Sequence, residues 1–203
     1  MIKQTVFILL GSVFLFRFVG SSTDRREAFS VQVPMGKHIL IDGKVDEKEW
    51  ADAKQIQASP ATSLYFKRDN AYLYLAVKPS TPARLSIDLY FRGSEAEKVL
   101  DLHASAKLGE REGPLDRWPS WVWWNNRGWT ANVVRPDSFE ERNFLPDEAK
   151  EFQIELGKLK AKTLRFSLDI DTGGEVQRLP QEGYEEVGRK WLVLRLVGGS
   201  HRK

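Results

Sequence analysis

The chain has 203 residues, 31 Lys and Arg against 28 Asp and Glu, and no cysteine. That length suffices for one domain with a full core and no covalent staples. The missing cysteine excludes a disulfide framework, thiolate zinc sites, lipoprotein attachment and covalently held c-type haem. In chain order, Met1 to Gln4 is a short basic start, Thr5 to Phe16 an apolar run, and Val19-Gly20-Ser21-Ser22 a set of small residues. This is the pattern of a secretory signal peptide over residues 1–22. The run falls short of the about 20 apolar residues that span a bilayer, and Arg17 interrupts it. An uncleaved anchor is therefore the weaker alternative, and no membrane insertion is expected after cleavage. Removing Lys3 and Arg17, with no acidic residue before Asp24, brings the basic and acidic residues close to balance, so charge makes no case for nucleic acid. An exported chain without cysteine fits a bacterial secreted or periplasmic protein better than a small eukaryotic secreted module.

Residues 23–35 form a polar leader that ends in an edge strand at Phe29 to Val33, and the domain proper is expected over 36–198. Its opening is dense in local signals. His38 to Ile41 is a short strand, Asp42-Gly43 a turn dipeptide, and Asp46 an N-cap with Glu49 three residues on to reach back. Val45 and Trp50 have the spacing of a hydrophobic staple, so the indole is expected to close one end of a core. Next come a strand at Ser63 to Lys67, a charged turn at Arg68-Asp69-Asn70, and a Tyr-rich strand at Ala71 to Val77.

Ile41-Asp42-Gly43, Asp46-Glu47 and Trp50, followed by those two strands, resemble the opening of family 9 carbohydrate-binding modules and their DOMON-like relatives, over roughly residues 36 to 197. The resemblance implies a β-sandwich and, in the sugar-binding branch, two tryptophans that clamp a sugar whose hydroxyls are gripped by polar side chains. It also implies structural calcium, for which no residue here can be named, and haem in the DOMON branch.

Downstream the dominant signal is period-two alternation, which marks strands with one wet face. Ala83, Leu85, Ile87, Leu89 and Phe91 alternate with polar neighbours, as do Leu100, Leu102, Ala104 and Ala106; Phe152, Ile154 and Leu156; and Leu164, Phe166, Leu168 and Ile170. Lys190 to Val197 closes the chain. Gly109 to Ser120, Pro136 to Lys150 and Asp171 to Arg189 read as loops. Many short half-buried strands without a long amphipathic helix predict an all-β, antiparallel β-sandwich with one or two short helical turns.

Five of the seven tryptophans fall between Trp118 and Trp129. Asn125 to Gly128 has hairpin-loop composition and would set Trp124 opposite Trp129. Val122, Trp124, Trp129, Ala131 and Val133 would then face the core, and Trp121, Trp123, Thr130, Asn132 and Val134 the solvent. Indoles among amides and hydroxyls make a platform for stacking on a pyranose. The alternative is that both faces are covered, since aromatic cross-strand pairs stabilise hairpins without any ligand. Trp121 and Trp123 are thus the expected carbohydrate-binding residues, with Asn132 beside them and Trp118 or Tyr184 as the second clamp residue the resemblance requires.

Other features point to less. His103 is expected to face solvent, and its pairing with Met35 as haem ligands has no further support in the chain. Asp169 to Gly174 starts like a calcium loop but has Gly173 at the fifth position and Pro180 where a bidentate Glu belongs. Glu110 and Glu112, Glu140-Glu141 and Glu185-Glu186 are carboxylate pairs in expected loops, which usually make solvated surface. No nucleophile elbow, zinc-protease helix or phosphate-cradling loop occurs. The expectation is a non-enzymatic, exported module without a cofactor, which binds carbohydrate or serves a surface or periplasmic assembly. A DOMON-like haem carrier, or an interaction sandwich with no small ligand, is the alternative.

Overall fold

The computed structural model describes residues 30–93, 96–105, 107–124, 130–131, 146–174, 176–180 and 191–196. Their strands are β1 (Ser30–Val33), β2 (Lys54–Ser59), β3 (Thr62–Arg68), β4 (Tyr72–Pro79), β5 (Ser86–Gly93), β6 (Val99–Ala104), β7 (Leu108–Gly113), β8 (Val122–Trp124), β9 (Thr130–Ala131), β10 (Lys150–Glu155), β11 (Thr163–Asp171), β12 (Val176–Leu179) and β13 (Leu192–Leu196). One helical turn, α1 (Leu156–Leu159), follows β10. The larger sheet runs β1-β13-β11-β5-β6-β7-β8, with β12 also paired to β11, and the smaller runs β2-β3-β4-β10-β9. Every pair is antiparallel except β1 with β13. The all-β antiparallel sandwich is therefore as expected. Among the described residues no helix is long and apolar enough to cross a membrane.

Alternation builds the core. Ile87, Leu89 and Phe91 of β5, Leu102 and Ala104 of β6, and Leu164, Phe166, Leu168 and Ile170 of β11 all point inward from the larger sheet. Leu64 and Phe66 of β3, Leu73, Leu75 and Val77 of β4, and Phe152 and Ile154 of β10 meet them from the smaller sheet. Phe66 and Phe166 touch edge to face across the interface, with centroids 5.6 Å apart. Val31 and Val33 of β1 join this core, so the expected edge strand is part of the sandwich.

The outer face of the smaller sheet is covered by the segment from Gly36 to Ala53. Asp46 caps its turn as expected, accepting from the Lys48 and Glu49 amides at 2.7 and 3.3 Å, while Trp50 N–H donates to Asp46 C=O at 3.0 Å. Glu49 does not reach back to the cap; its carboxylate instead lies 3.5 Å from the Leu40 amide. Trp50 packs with Ile39, Tyr74 and Ala76, and Val45 lies against the same cluster. Fully buried Glu151 of β10 accepts from the indole Nε1 of Trp50 at 2.9 Å and from the Asp42 and Gly43 amides at 3.0 Å each. The Asp-Gly turn and the tryptophan are thus held by one carboxylate, and the opening motif is spent on sealing this face.

Four expectations fail. The stretch expected as a loop from Gly109 to Ser120 begins inside β7, and the one from Asp171 contains β12. The tryptophan hairpin does not form, because β8 pairs with β7 in the larger sheet whereas β9 pairs with β10 in the smaller one. Asn125 to Gly128, expected as the tight turn, and Trp129 lie outside the described residues. Val122, expected in the core, is 52% exposed on the last strand of its sheet, where the opposite layer no longer covers it.

Candidate functional site

The outer face of the larger sheet carries an aromatic run across β5 to β8. Antiparallel register sets Tyr90 beside Asp101, Asp101 beside Arg111, and His103 beside Gly109, which in turn faces Trp123. Trp191, fully buried, packs on Tyr90 at 6.4 Å between centroids, and Tyr90 packs on Trp118 at the same separation. The Arg111 guanidinium then lies between two indoles, 4.3 Å from the Trp118 centroid and 4.1 Å from that of Trp121. Trp121 stacks on Trp123 at 5.2 Å and 30°. The Lys107 ammonium lies 6.0 Å from the Trp123 centroid. Burial falls steadily along the run, and its free end, Trp123, is 49% exposed.

Glycines let the indoles lie flat on the sheet. A Cβ at Gly109 would come within 2.8 Å of Trp123 Cε3 and 3.1 Å of Trp121 Cε3, and one at Gly113 within 2.6 Å of Pro119 Cδ. Gly109, one of the glycines that made this stretch read as a loop, clears space for the two indoles, and Gly113 clears space for Pro119.

Polar groups sit beneath and beside the stack. His103 meets Trp121 and Trp123 edge-on at 5.7 and 5.6 Å. Its Nδ1 is 2.7 Å from Asp88 Oδ1 and its Nε2 is 2.9 Å from Ser105 Oγ. Arg111 Nε donates to Asp101 Oδ2 at 2.7 Å. Burial pushes the Asp101 carboxyl up to about 7; Asp88 acts in the same direction, while Arg111 and His103 oppose it. Among the described residues, Asp101 Oδ1 and Trp118 Nε1 are buried without a hydrogen-bond partner.

Of the expected site residues, the structure brings together Trp118, Trp121 and Trp123. Asn132 and Tyr184 lie outside the described residues, as do Glu140-Glu141 and Glu185-Glu186. Thr130 belongs to the smaller sheet and does not flank the indoles. Trp118 and Trp121 do not clamp an open space; they grip Arg111. His103, expected in solvent, is instead largely covered and part of the site. Met35 forms a bridge with Arg68 at the smaller sheet while His103 lies on the larger, so the two do not converge on a haem. Asp169 to Gly174 is a strand end and a turn: Asp171 accepts from the Gly173 amide at 2.7 Å, and Asp169 faces Arg178 across β11 and β12. That arrangement does not fit a calcium loop. Among the described residues no three His, Asp or Glu are grouped to hold a metal ion. Sequence reasoning missed Arg111, Asp101, Asp88 and Lys107, whose placement depends on strand register. The alternation of Asp101 and His103 on the polar side of β6 was the available signal.

No family model matches the chain. No curated protein matches it either. Among solved structures, it is similar to a family 9 carbohydrate-binding module from Caldicellulosiruptor kristjanssonii, solved in complex with cellotriose, with a TM-score of 0.47 and 13% identity over 85% of this chain and 95% of that one. The geometry of the Trp123 face stands independently of that likeness.

Proposed function

We propose that this chain is an exported, non-catalytic glycan-binding protein that stacks a sugar ring on Trp123. The observation that carries the reading is the aromatic run itself. It is anchored in buried Trp191 and Tyr90, stiffened by Arg111 between Trp118 and Trp121, and ends in a half-exposed indole. A rigid indole loses little entropy on stacking against the C–H face of a pyranose. Ser105 and His103 beside it, with Asp88 behind, supply the kinds of group that bond sugar hydroxyls. Its carboxylates suit binding rather than glycoside cleavage: Asp88 is engaged by His103, and Asp101 lies buried under Arg111. Export rests on the basic start and apolar run of residues 1–22. A secreted or periplasmic binding protein, alone or in a surface assembly, follows.

The test is a binding screen of the purified chain against soluble and insoluble glycans, with Trp123→Ala alongside. Binding by wild type and its loss in a still-folded variant are expected, together with iodide quenching that sugar relieves. Binding that ignores Trp123→Ala, or no binding to any glycan, would refute the reading and leave the exposed indole to protein contact.

A further inference from the structure

The charges around the free end of the aromatic run are layered. Both acids lie beneath the indoles, and each already has a side-chain partner: Asp88 the His103 imidazole and Asp101 the Arg111 guanidinium, at 2.7 Å in each case. Glu110 alternates with Gly109 and Arg111 along β7 and is engaged at 2.6 Å by Lys158 of α1. Lys107 is different. It is exposed, lies over Trp123, and its ammonium meets no carboxylate among the described residues. A ligand settling on Trp123 would therefore meet an uncommitted cation first, with the acids already hydrogen-bonded below.

We propose that the Trp123 face selects glycans bearing uronate carboxylates, with Lys107 Nζ as the group that reads the charge; this rests on the stacking reading above. A uronate fits better than a sulfate ester, because its carboxylate is bonded directly to the ring that stacks. A cation lying over the indole then reaches it without spanning a rotatable ester oxygen. The ammonium keeps N–H donors free while it lies over the ring, so cation–π contact and carboxylate pairing are compatible. Arg111 is less available: its guanidinium is enclosed by two indoles and its Nε is spent on Asp101.

The test measures binding of galacturonate, glucuronate and mannuronate oligomers, each beside its fully methyl-esterified counterpart, to wild type, Lys107→Gln and Trp123→Ala. Esterification keeps the ring and removes the charge. Wild type is expected to prefer at least one acid over its ester by about fivefold, the scale of one exposed ion pair. That preference should shrink with added salt and vanish in Lys107→Gln, while Trp123→Ala loses acid and ester alike. Equal binding of acids and esters, or a preference that survives Lys107→Gln, overturns the uronate inference while Trp123-dependent binding keeps the stacking reading. Failure of every oligomer overturns the uronate inference alone, whereas binding indifferent to Trp123→Ala overturns both.

Discussion

Asp101→Asn should flatten a pH dependence that the wild-type protein carries. In the fold, burial holds the Asp101 carboxyl up at about 7, against 3.8 for the free side chain. Between those values the folded state keeps a proton that the unfolded state has released, so stability falls as pH rises from about 4 to about 7. At roughly 1.4 kcal/mol per pH unit, the span from 3.8 to about 7 bounds the loss at on the order of 4 kcal/mol. Asn is nearly isosteric and can still accept from Arg111 Nε, but it carries no proton to lose. All other ionisable groups are common to both proteins, so the difference between them isolates Asp101. The assay is urea unfolding at half-unit steps from pH 5 to 8, read by far-UV circular dichroism. Asp101→Asn should gain on wild type steadily from pH 5 to about 7 and level off above that. A constant difference across the interval, or one that moves the other way, would refute the reasoning that burial outweighs Arg111 at this carboxyl.

Two further substitutions probe what positions the site and what seals the opposite face. Gly109→Ala puts a methyl group within 2.8 Å of Trp123 and 3.1 Å of Trp121. It should cost about 1–3 kcal/mol as overpacking, and lift both indoles, read as a red-shifted emission and easier iodide quenching; unchanged fluorescence would show that the stack does not rest on this glycine. Glu151→Ala orphans the Trp50 indole N–H and the Gly43 amide, both buried, at about 1–3 kcal/mol each. A loss under about 1 kcal/mol in urea unfolding would mean that this carboxylate does not hold the opening motif down.

The fold was legible because its signal is local. Alternation in β5, β6, β10 and β11 needs only the residues of each strand, and the inward set it predicts is the set that fills the core. The opening motif was legible for the same reason: Asp46 caps its own turn and Val45 and Trp50 share one cluster. Its anchor was not, since Glu151 lies 101 residues from Trp50. In isolation Glu151 is an ordinary polar residue on an alternating strand. Only the pairing of β10 with β4 places it under the turn.

The tryptophan segment was misread for a related reason. Asn125 to Gly128 has the composition of a tight turn, and composition alone favours pairing consecutive strands. Here β8 finds β7 and β9 finds β10, so that two adjacent strands serve different layers. The choice follows from what each neighbour presents. The outer side of β7 carries Gly109, with space for the indoles of Trp121 and Trp123, and Arg111, a cation to hold Trp121. A hairpin would have set Trp123 beside Asn132 and Thr130, whereas the observed pairing sets it on Gly109 with His103 and Lys107 at its sides. Trp121 and Trp123 could be named from sequence as outward-facing aromatics because the pleat alone decides that. Their polar company could not be named, because register across three strands decides it. The chemistry read from sequence was therefore amide and hydroxyl beside the indoles, and the chemistry in the fold is a cation over the Trp123 ring, which is why charge on the ligand is the variable to test.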